Sequence, residues 1–332
     1  MCLYPKLIKN RKYVSNKKNG GDVPKVKDMR VLMVPVGCGK CMECRKQKAR
    51  QWQVRLQEDI RLNKNAKFVT YTFSDNELQK LDNEIKELQG YDRDNEICRK
   101  AVRRYTERWR KKYKKTLRHW LVTELGSTAT ERVHMHGIVW SQEVEDIKKI
   151  WKYGNVWIGK YVSAKTINYM VKYVNKVDKH HKEYTSKIFT SKGIGKEYLE
   201  RVDSKRNKYK PGETIETYTT RDGSKLALPI YYRNKIYSED EREKLWLEKL
   251  DKKERWVCGV KVDVSENDNE YYKVLEEMRR KNHRLGYGDD SKNWTLKKYE
   301  SQRRNIKKQE RIERLYGAKA KKWPIRKAND LA

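Results

Sequence analysis

Residues 118–125 (RHWLVTEL) and 132–140 (RVHMHGIVW) are two runs rich in β-branched and aromatic residues, and only GSTATE separates them. Runs of that kind joined by so short a connector read as a β-hairpin. The segment 67–73 (KFVTYTF) alternates in the same way and reads as a strand, as does 155–162 (NVWIGKYV). Between the strands lie stretches with helical periodicity: 76–89 and 95–115, separated by a turn near Gly90, then 143–152 and 164–178. Ser74 and Asp75 offer an N-cap to the first of these, with Glu77 in its opening turn. The order β-α-α-β-β-α-β-α with a hairpin at its centre predicts an α+β fold, a central antiparallel sheet with helices on its faces.

His134 and His136 sit at i and i+2 of the second hairpin strand. In a strand such residues project to the same side, about 6.6 Å apart along the backbone. Met135 turns to the other face with Val133 and Val139. Two imidazoles aimed at one point suit a metal, although a His-x-His pair is also at home on an exposed edge strand. Glu124, at the end of the first hairpin strand, can come across from the histidines. Two imidazoles and a carboxylate with open positions suit Mg²⁺ or Mn²⁺ when a substrate phosphate completes the shell, and Zn²⁺ is chemically compatible.

The helix 164–178 (AKTINYMVKYVNKVD) places Ile167, Met170, Val171, Val174 and Val177 on one face. Lys165, Tyr169, Lys172, Tyr173 and Lys176 fall on the opposite face. Tyr169 and Tyr173 lie one turn apart, and each is followed three residues later by a lysine. A phenol is a weak nucleophile at neutral pH because its pKa is about 10. A nearby ammonium favours the phenolate, and a metal on a phosphate makes the phosphorus more electrophilic. The same stripe, taken alone, equally describes a face that binds DNA.

Cys38, Cys41 and Cys44 (CGKCMEC) have two-residue spacings that let thiolates converge on one ion, and Cys2 is a candidate fourth ligand. Four sulfurs would close a structural Zn²⁺ site; an iron–sulfur cluster is the alternative. Such a site would fix the N-terminal segment to the basic helix expected over 46–64, whose stripe holds Trp52, Leu56 and Ile60. Cys98 and Cys258 stand alone and read as inert, and His119, His180, His181 and His283 read as surface residues.

Lys and Arg number 80 against 46 Asp and Glu, a net charge of +34 spread along the chain. A field of that sign gathers a polyanion, and nucleic acid is the obvious one. A Lys-favouring codon bias is the competing explanation, but it inflates Asn and Ile without unbalancing the acids. No run of about 18 apolar residues offers a membrane span, and MCLYPKLIKN lacks the apolar core of a signal peptide. Six dispersed and clustered cysteines point to a reducing, intracellular setting. Gly193-Ile194-Gly195-Lys196 is not a phosphate-binding loop, so no nucleotide cofactor is expected.

A strand, then His-hydrophobic-His, then a helical Tyr-x-x-Lys resembles the three ordered motifs of the HUH endonucleases. YMVKYVNK at 169–176 is similar to the paired-tyrosine motif of the replication initiators of microviruses, small single-stranded DNA phages. CGKCMECRKQKARQW, the TELG…RVHMHGIVW hairpin and FTSKGIGKEYL at 189–199 also look like that family. The likeness spans roughly residues 1–200 and weakens around LPIYYRNKIYSEDER.

The resemblance implies a core related to the RNA-recognition motif, with His134, His136 and Glu124 holding the catalytic metal. Tyr169 or Tyr173 would nick an origin strand, stay on the 5′ phosphate and free a 3′ hydroxyl, and the pair acting in turn would cut and rejoin to release circles without ATP. Single-stranded origin DNA, a host helicase and a host DNA polymerase are the implied partners, in the cytoplasm of a bacterial host. Arg132-Val133 stands where the family often has a proline before the first histidine. A transposase or relaxase of the same superfamily, or a non-catalytic nucleic-acid-binding protein with a zinc staple, are the competing readings.

Three segments are therefore expected: a Cys-rich N-terminal segment and basic helix (1–64), an HUH endonuclease core (65–200), and a charged, largely helical C-terminal region (201–332). In the last, KPGE and RDGS are turns, and SEDE at 238–241 is a capping box that opens a helix to about residue 254. Residues 292–332 carry 14 Lys and Arg against 4 acids and read as a partly helical tail along DNA backbone.

Overall fold

The computed structural model describes residues 2–126, 131–178 and 180–289, and then residues 304, 308, 311, 312, 315 and 316. In chain order the elements are β1 (Lys6–Lys9), β2 (Met33–Val36), α1 (Met42–Leu62), β3 (Ala66–Tyr71), α2 (Asp75–Asn83), α3 (Gly90–Tyr113), β4 (Arg118–Leu125), β5 (Val133–Trp140), α4 (Val144–Ile150), β6 (Val156–Ile158), α5 (Ala164–Asn175) and β7 (Ile188–Thr190). There follow α6 (Val202–Lys205), β8 (Thr217–Thr219), β9 (Lys225–Ala227), α7 (Ile230–Ile236), α8 (Glu239–Asp251), β10 (Glu254–Val257), β11 (Val260–Asp263) and α9 (Asn269–Arg284). No described helix is long and apolar enough to cross a membrane.

The chain divides into two compact units. A cysteine unit comprises Met1–Lys64, Ser163–Lys182 and Lys192–Asn293, and a sheet unit comprises Asn65–Val162, Glu183–Ser191 and Trp294–Ala332.

The sheet unit is built on a five-stranded sheet in the order β6-β3-β5-β4-β7, with every neighbouring pair antiparallel. The expected α+β class and hairpin are present, and the connector's residues 127–130 lie outside the described residues. Alternation decides which side chains face the helices. Val69 and Tyr71 of β3, Leu121 and Leu125 of β4, and Val133, Met135 and Val139 of β5 share one core with residues of α2, α3 and α4. Burying large apolar side chains there contributes about 1.5–3 kcal/mol each. Tyr71, Tyr105 and Trp151 form its aromatic centre, where the Tyr71 hydroxyl donates to that of Tyr105 at 3.0 Å.

Helix α3 starts at Gly90, earlier than the periodicity indicates, because Tyr91 and Asp94 are already buried against the core. The helix expected over 76–89 stops at Asn83, and the strand expected over 155–162 is ordered only at Val156–Ile158. Strand β7 has no counterpart among the expected elements. It adds to β4 through a buried network: Tyr184 Oη donates to Thr123 Oγ1 at 2.7 Å, Thr123 Oγ1 donates to Asn95 Oδ1 at 2.7 Å, and Lys187 N donates to Thr123 Oγ1 at 2.9 Å. His119 is buried rather than on the surface. Its Nδ1 lies 2.8 Å from the Leu117 carbonyl, and burial pushes its pKa down. His181, in the cysteine unit, is buried as well.

Most of the basic tail lies outside the described residues. Two of its cations are committed to acids of the sheet unit. Arg304, 3% exposed, pairs with buried Asp94 through two hydrogen bonds of 2.7 and 3.0 Å, and Lys308 pairs with Asp82. A buried guanidinium in that position is a structural element rather than a phosphate ligand.

In the cysteine unit, β1 and β2 form an antiparallel pair, and α1 packs along α5. Gln53 Nε2 of α1 donates to Asn168 Oδ1 of α5 at 2.8 Å. Helix α5 opens on a capping box of Ser163 and Thr166, and its Ile167, Met170, Val171 and Val174 are buried, as their spacing indicates. It ends at Asn175, short of the expected 178, so Lys176 is the extended C-cap and Val177 lies past the helix. The end is fixed by donors to its last carbonyls: Arg45 Nη1 to Lys176 O at 3.1 Å and Tyr287 Oη to Asn175 O at 3.3 Å. The capping box at Ser238 and Glu241 opens α8 as expected.

Candidate metal centre and tyrosine pair

Alternation along β5 sends Val133, Met135 and Val139 to the helical side and His134 and His136 to the other. The register then places Glu124 of β4 directly across from His134. His136 Nε2 lies 3.1 Å from His134 Nε2 and 3.1 Å from Glu124 Oε2, and His134 Nε2 lies 3.4 Å from that same oxygen. Ligands on an ion bound at about 2.1 Å stand about 3.0 Å apart at right angles and about 3.4 Å apart in a tetrahedron. The three atoms therefore have the spacing of one face of a coordination shell, and the residues fit a divalent ion.

Both rings are oriented from behind. His134 Nδ1 donates to the Arg132 carbonyl at 3.2 Å, and His136 Nδ1 meets Thr70 Oγ1 of β3 at 3.0 Å. An imidazole that donates through Nδ1 keeps its lone pair on Nε2, toward the metal position. Thr70 pairs with His136 in the sheet register and carries no metal-ligand signature, so nothing in the sequence marks it. Phe68, two residues earlier, stacks on His136 with centroids 6.1 Å apart and ring planes at 19°. Loss of such an outer partner typically costs 10- to 100-fold in metal affinity. Thr70→Val is therefore expected to weaken Mn²⁺ binding about tenfold, as read by calorimetric titration, and Thr70→Ser to restore it.

An open cavity of about 600 Å³ lies beside His134, lined among others by Thr72, Phe73, Asp75, Arg132 and Asn155. Arg132 brings a cation to its wall, where Asp75 holds the guanidinium at 2.6 Å. A carboxylate-anchored guanidinium beside a divalent ion suits an anionic oxygen such as that of a phosphodiester.

On α5, Tyr169 is 51% exposed and Tyr173 half-buried. Tyr173 Oη donates to Tyr169 Oη at 2.5 Å, with ring centroids 5.3 Å apart and planes at 86°. Two hydroxyls thus meet at one point of the helix face. Lys172 is exposed on the helix, and Lys176 is exposed at its C-cap.

The sulfurs of Cys2, Cys38, Cys41 and Cys44 all lie within 4.8 Å of one another, with Cys2 and Cys41 at 3.9 Å. A tetrahedron of Zn–S bonds of about 2.3 Å has sulfur–sulfur edges of about 3.8 Å. Backbone amides already point at the sulfurs: Cys38 N and Tyr4 N at Cys2 Sγ, 3.2 and 3.3 Å away, and Cys41 N at Cys38 Sγ, 3.3 Å away. Four thiols so close do not titrate alike. Hydrogen bonding with Cys2, then Cys41 and Cys44, draws the Cys38 thiol down, while Cys2, then Cys38 and Cys41, push Cys44 up. A cation shared by four thiolates relieves that conflict, so this donor set fits Zn²⁺. Cys98 is fully buried, and burial pushes its thiol up, which suits an inert residue.

Residues 66–178 match a family model of replication-associated proteins, the ORF2 type. That segment begins at β3 and ends just past α5. It contains Glu124, His134 and His136 and both tyrosines of α5, and it leaves the cysteine cluster outside. No curated protein matches the chain, and no solved structure does. The replication-associated family is consistent with a replication initiator and with a DNA-binding role for the large positive charge.

Proposed function

We propose that the chain initiates rolling-circle replication by nicking single-stranded origin DNA. The observation that carries this reading is the triad of His134, His136 and Glu124, oriented from behind, within a segment that matches a replication-associated family and also holds a pair of hydroxyl-linked tyrosines. In the proposed reaction a tyrosine Oη attacks the phosphorus of one phosphodiester. An Oη–P bond forms, the P–O3′ bond breaks, and the departing oxygen takes up a proton to become a 3′ hydroxyl primer. The 5′ phosphate stays on the tyrosine, so the bond energy is kept and rejoining needs no ATP. A divalent ion at the triad, Mg²⁺ or Mn²⁺, would neutralise the phosphate and make its phosphorus more electrophilic. Lys172 and Lys176 supply positive charge that favours the phenolate. The second tyrosine serves the later exchange that closes a circle. Unwinding and synthesis fall to a host helicase and polymerase.

The test uses 5′- and 3′-end-labelled single strands tiling the replicon that encodes the chain, incubated with Mn²⁺ or with EDTA. A metal-dependent break that leaves protein on the 5′ end and a free 3′ hydroxyl is the expected result. Tight binding without a break under any metal would assign the chain to non-catalytic nucleic-acid binding.

A further inference from the structure

Trp157 is the large aromatic at the centre of β6, and it is 59% exposed. Its neighbours Val156 and Ile158 pack toward the helical core, so Trp157 points to the face of the sheet that carries the metal triad. The register puts it in one row with that triad: Trp157 pairs with Thr70, and Thr70 pairs with His136. At about 4.8 Å per strand, Trp157 stands about 10 Å from His136 across the sheet. The rings between them are continuous. Phe68 meets Trp157 at a centroid distance of 5.5 Å and stacks on His136 at 6.1 Å.

The ring is also held in place. A Cβ on Gly159 would come within 3.2 Å of the Trp157 indole, so the ring lies against the bare backbone of that glycine. A solvent-exposed indole seated on glycine and braced by phenylalanine contributes little to a core. It presents a preordered π face in the plane where a strand leaving the metal site would pass. Lys160 and Tyr161, the latter 76% exposed, follow in the chain and add charge and a further ring. A positively charged surface with an exposed ring is what single strands use for sequence-tolerant stacking.

We infer that Trp157 is a stacking platform for one unpaired base of the DNA whose phosphate lies at Glu124, His134 and His136. The inference rests on the proposed single-strand substrate and extends it by assigning where a base beside the scissile phosphate lies. Trp157 is a positioning residue in this scheme, since it touches a base and not the reacting atoms.

The test measures binding of labelled single strands to the full chain in EDTA by fluorescence anisotropy. Wild type, Trp157→Ala and Trp157→Phe are compared, on an intact strand and on strands with a single abasic site moved along the sequence. Trp157→Ala is expected to bind the intact strand about tenfold more weakly, and Trp157→Phe to recover most of that loss. One abasic position should cost the wild type a similar factor and cost Trp157→Ala nothing further. A general structural role would not produce that position-specific cancellation. If the wild type nicks DNA and Trp157→Ala binds as tightly, the platform is wrong and the nicking stands. Abasic sites that cost both proteins alike would also overturn the platform. If the wild type binds no single strand, the proposed function falls and the platform with it.

Discussion

A Tyr169→Phe, Tyr173→Phe double variant is expected to bind single strands and leave all of them uncut. The substitution removes two hydroxyls and keeps both rings. Tyr169 is exposed, and the hydrogen bond between the two hydroxyls disappears together with both of its partners, so folding should change little. Without an Oη there is no atom to form the bond to phosphorus, and the expected drop in nicking is about a thousandfold or more. The single variants separate the roles. Loss of the tyrosine that acts first abolishes the break, whereas loss of the other allows a break and a protein-linked 5′ end but no closed circle. Gel analysis of doubly labelled strands reads both outcomes. A double variant that still forms the covalent product would remove these tyrosines from the mechanism.

Cys41→Ser is expected to lower the melting temperature of the chain by about 10 °C or more. Cys41 is wholly buried at the N-cap of α1, a position where serine also caps well, so the substitution isolates the thiolate. Structural zinc contributes about 10–16 kcal/mol in small zinc peptides. Losing even about 3 kcal/mol of it in a unit of this size gives the stated shift. The damage should centre where the cysteines pack, on Leu3, Met42, Val257 and Leu275. Met42 N donates to the buried Asn282 Oδ1 of α9 at 2.8 Å, and Arg279 Nε donates to Leu3 O at 3.0 Å, so hydrogen exchange along α9 is a sensitive reporter. Metal content per chain is measured in parallel. Purified wild type without an ion, together with a variant that melts unchanged, would overturn the staple.

Much of the sheet unit is legible in the sequence because its information is local. The alternation of RVHMHGIVW fixes which side chains share a face, and a short connector leaves β4 and β5 no choice but to pair. That is enough to bring Glu124 across from His134. Pairing between distant segments carries no such mark. Thr70 is a partner of His136 only because β3 lies beside β5, and β7 joins β4 through Thr123 and Tyr184, residues with no strand signature. The end of α5 departs from expectation for a related reason. Its apolar spacing continues to Val177, but Arg45 and Tyr287, far away in sequence, take the carbonyls where the helix stops. His119 reads as exposed because a lone histidine has no pattern to announce its buried place.

The order in which the cysteine unit becomes available has a consequence during synthesis. All four sulfurs lie between Cys2 and Cys44, yet α9, which packs over them, begins at Asn269. At ribosomal speeds the intervening chain takes on the order of ten to fifty seconds to emerge. Throughout that interval a bound zinc would be the main tie on the nascent N-terminal segment, holding the start of α1 in its final shape while its cover is still being made. The ion would then act as a timekeeper as much as a staple, and cells starved of zinc would lose the protein at birth rather than in service.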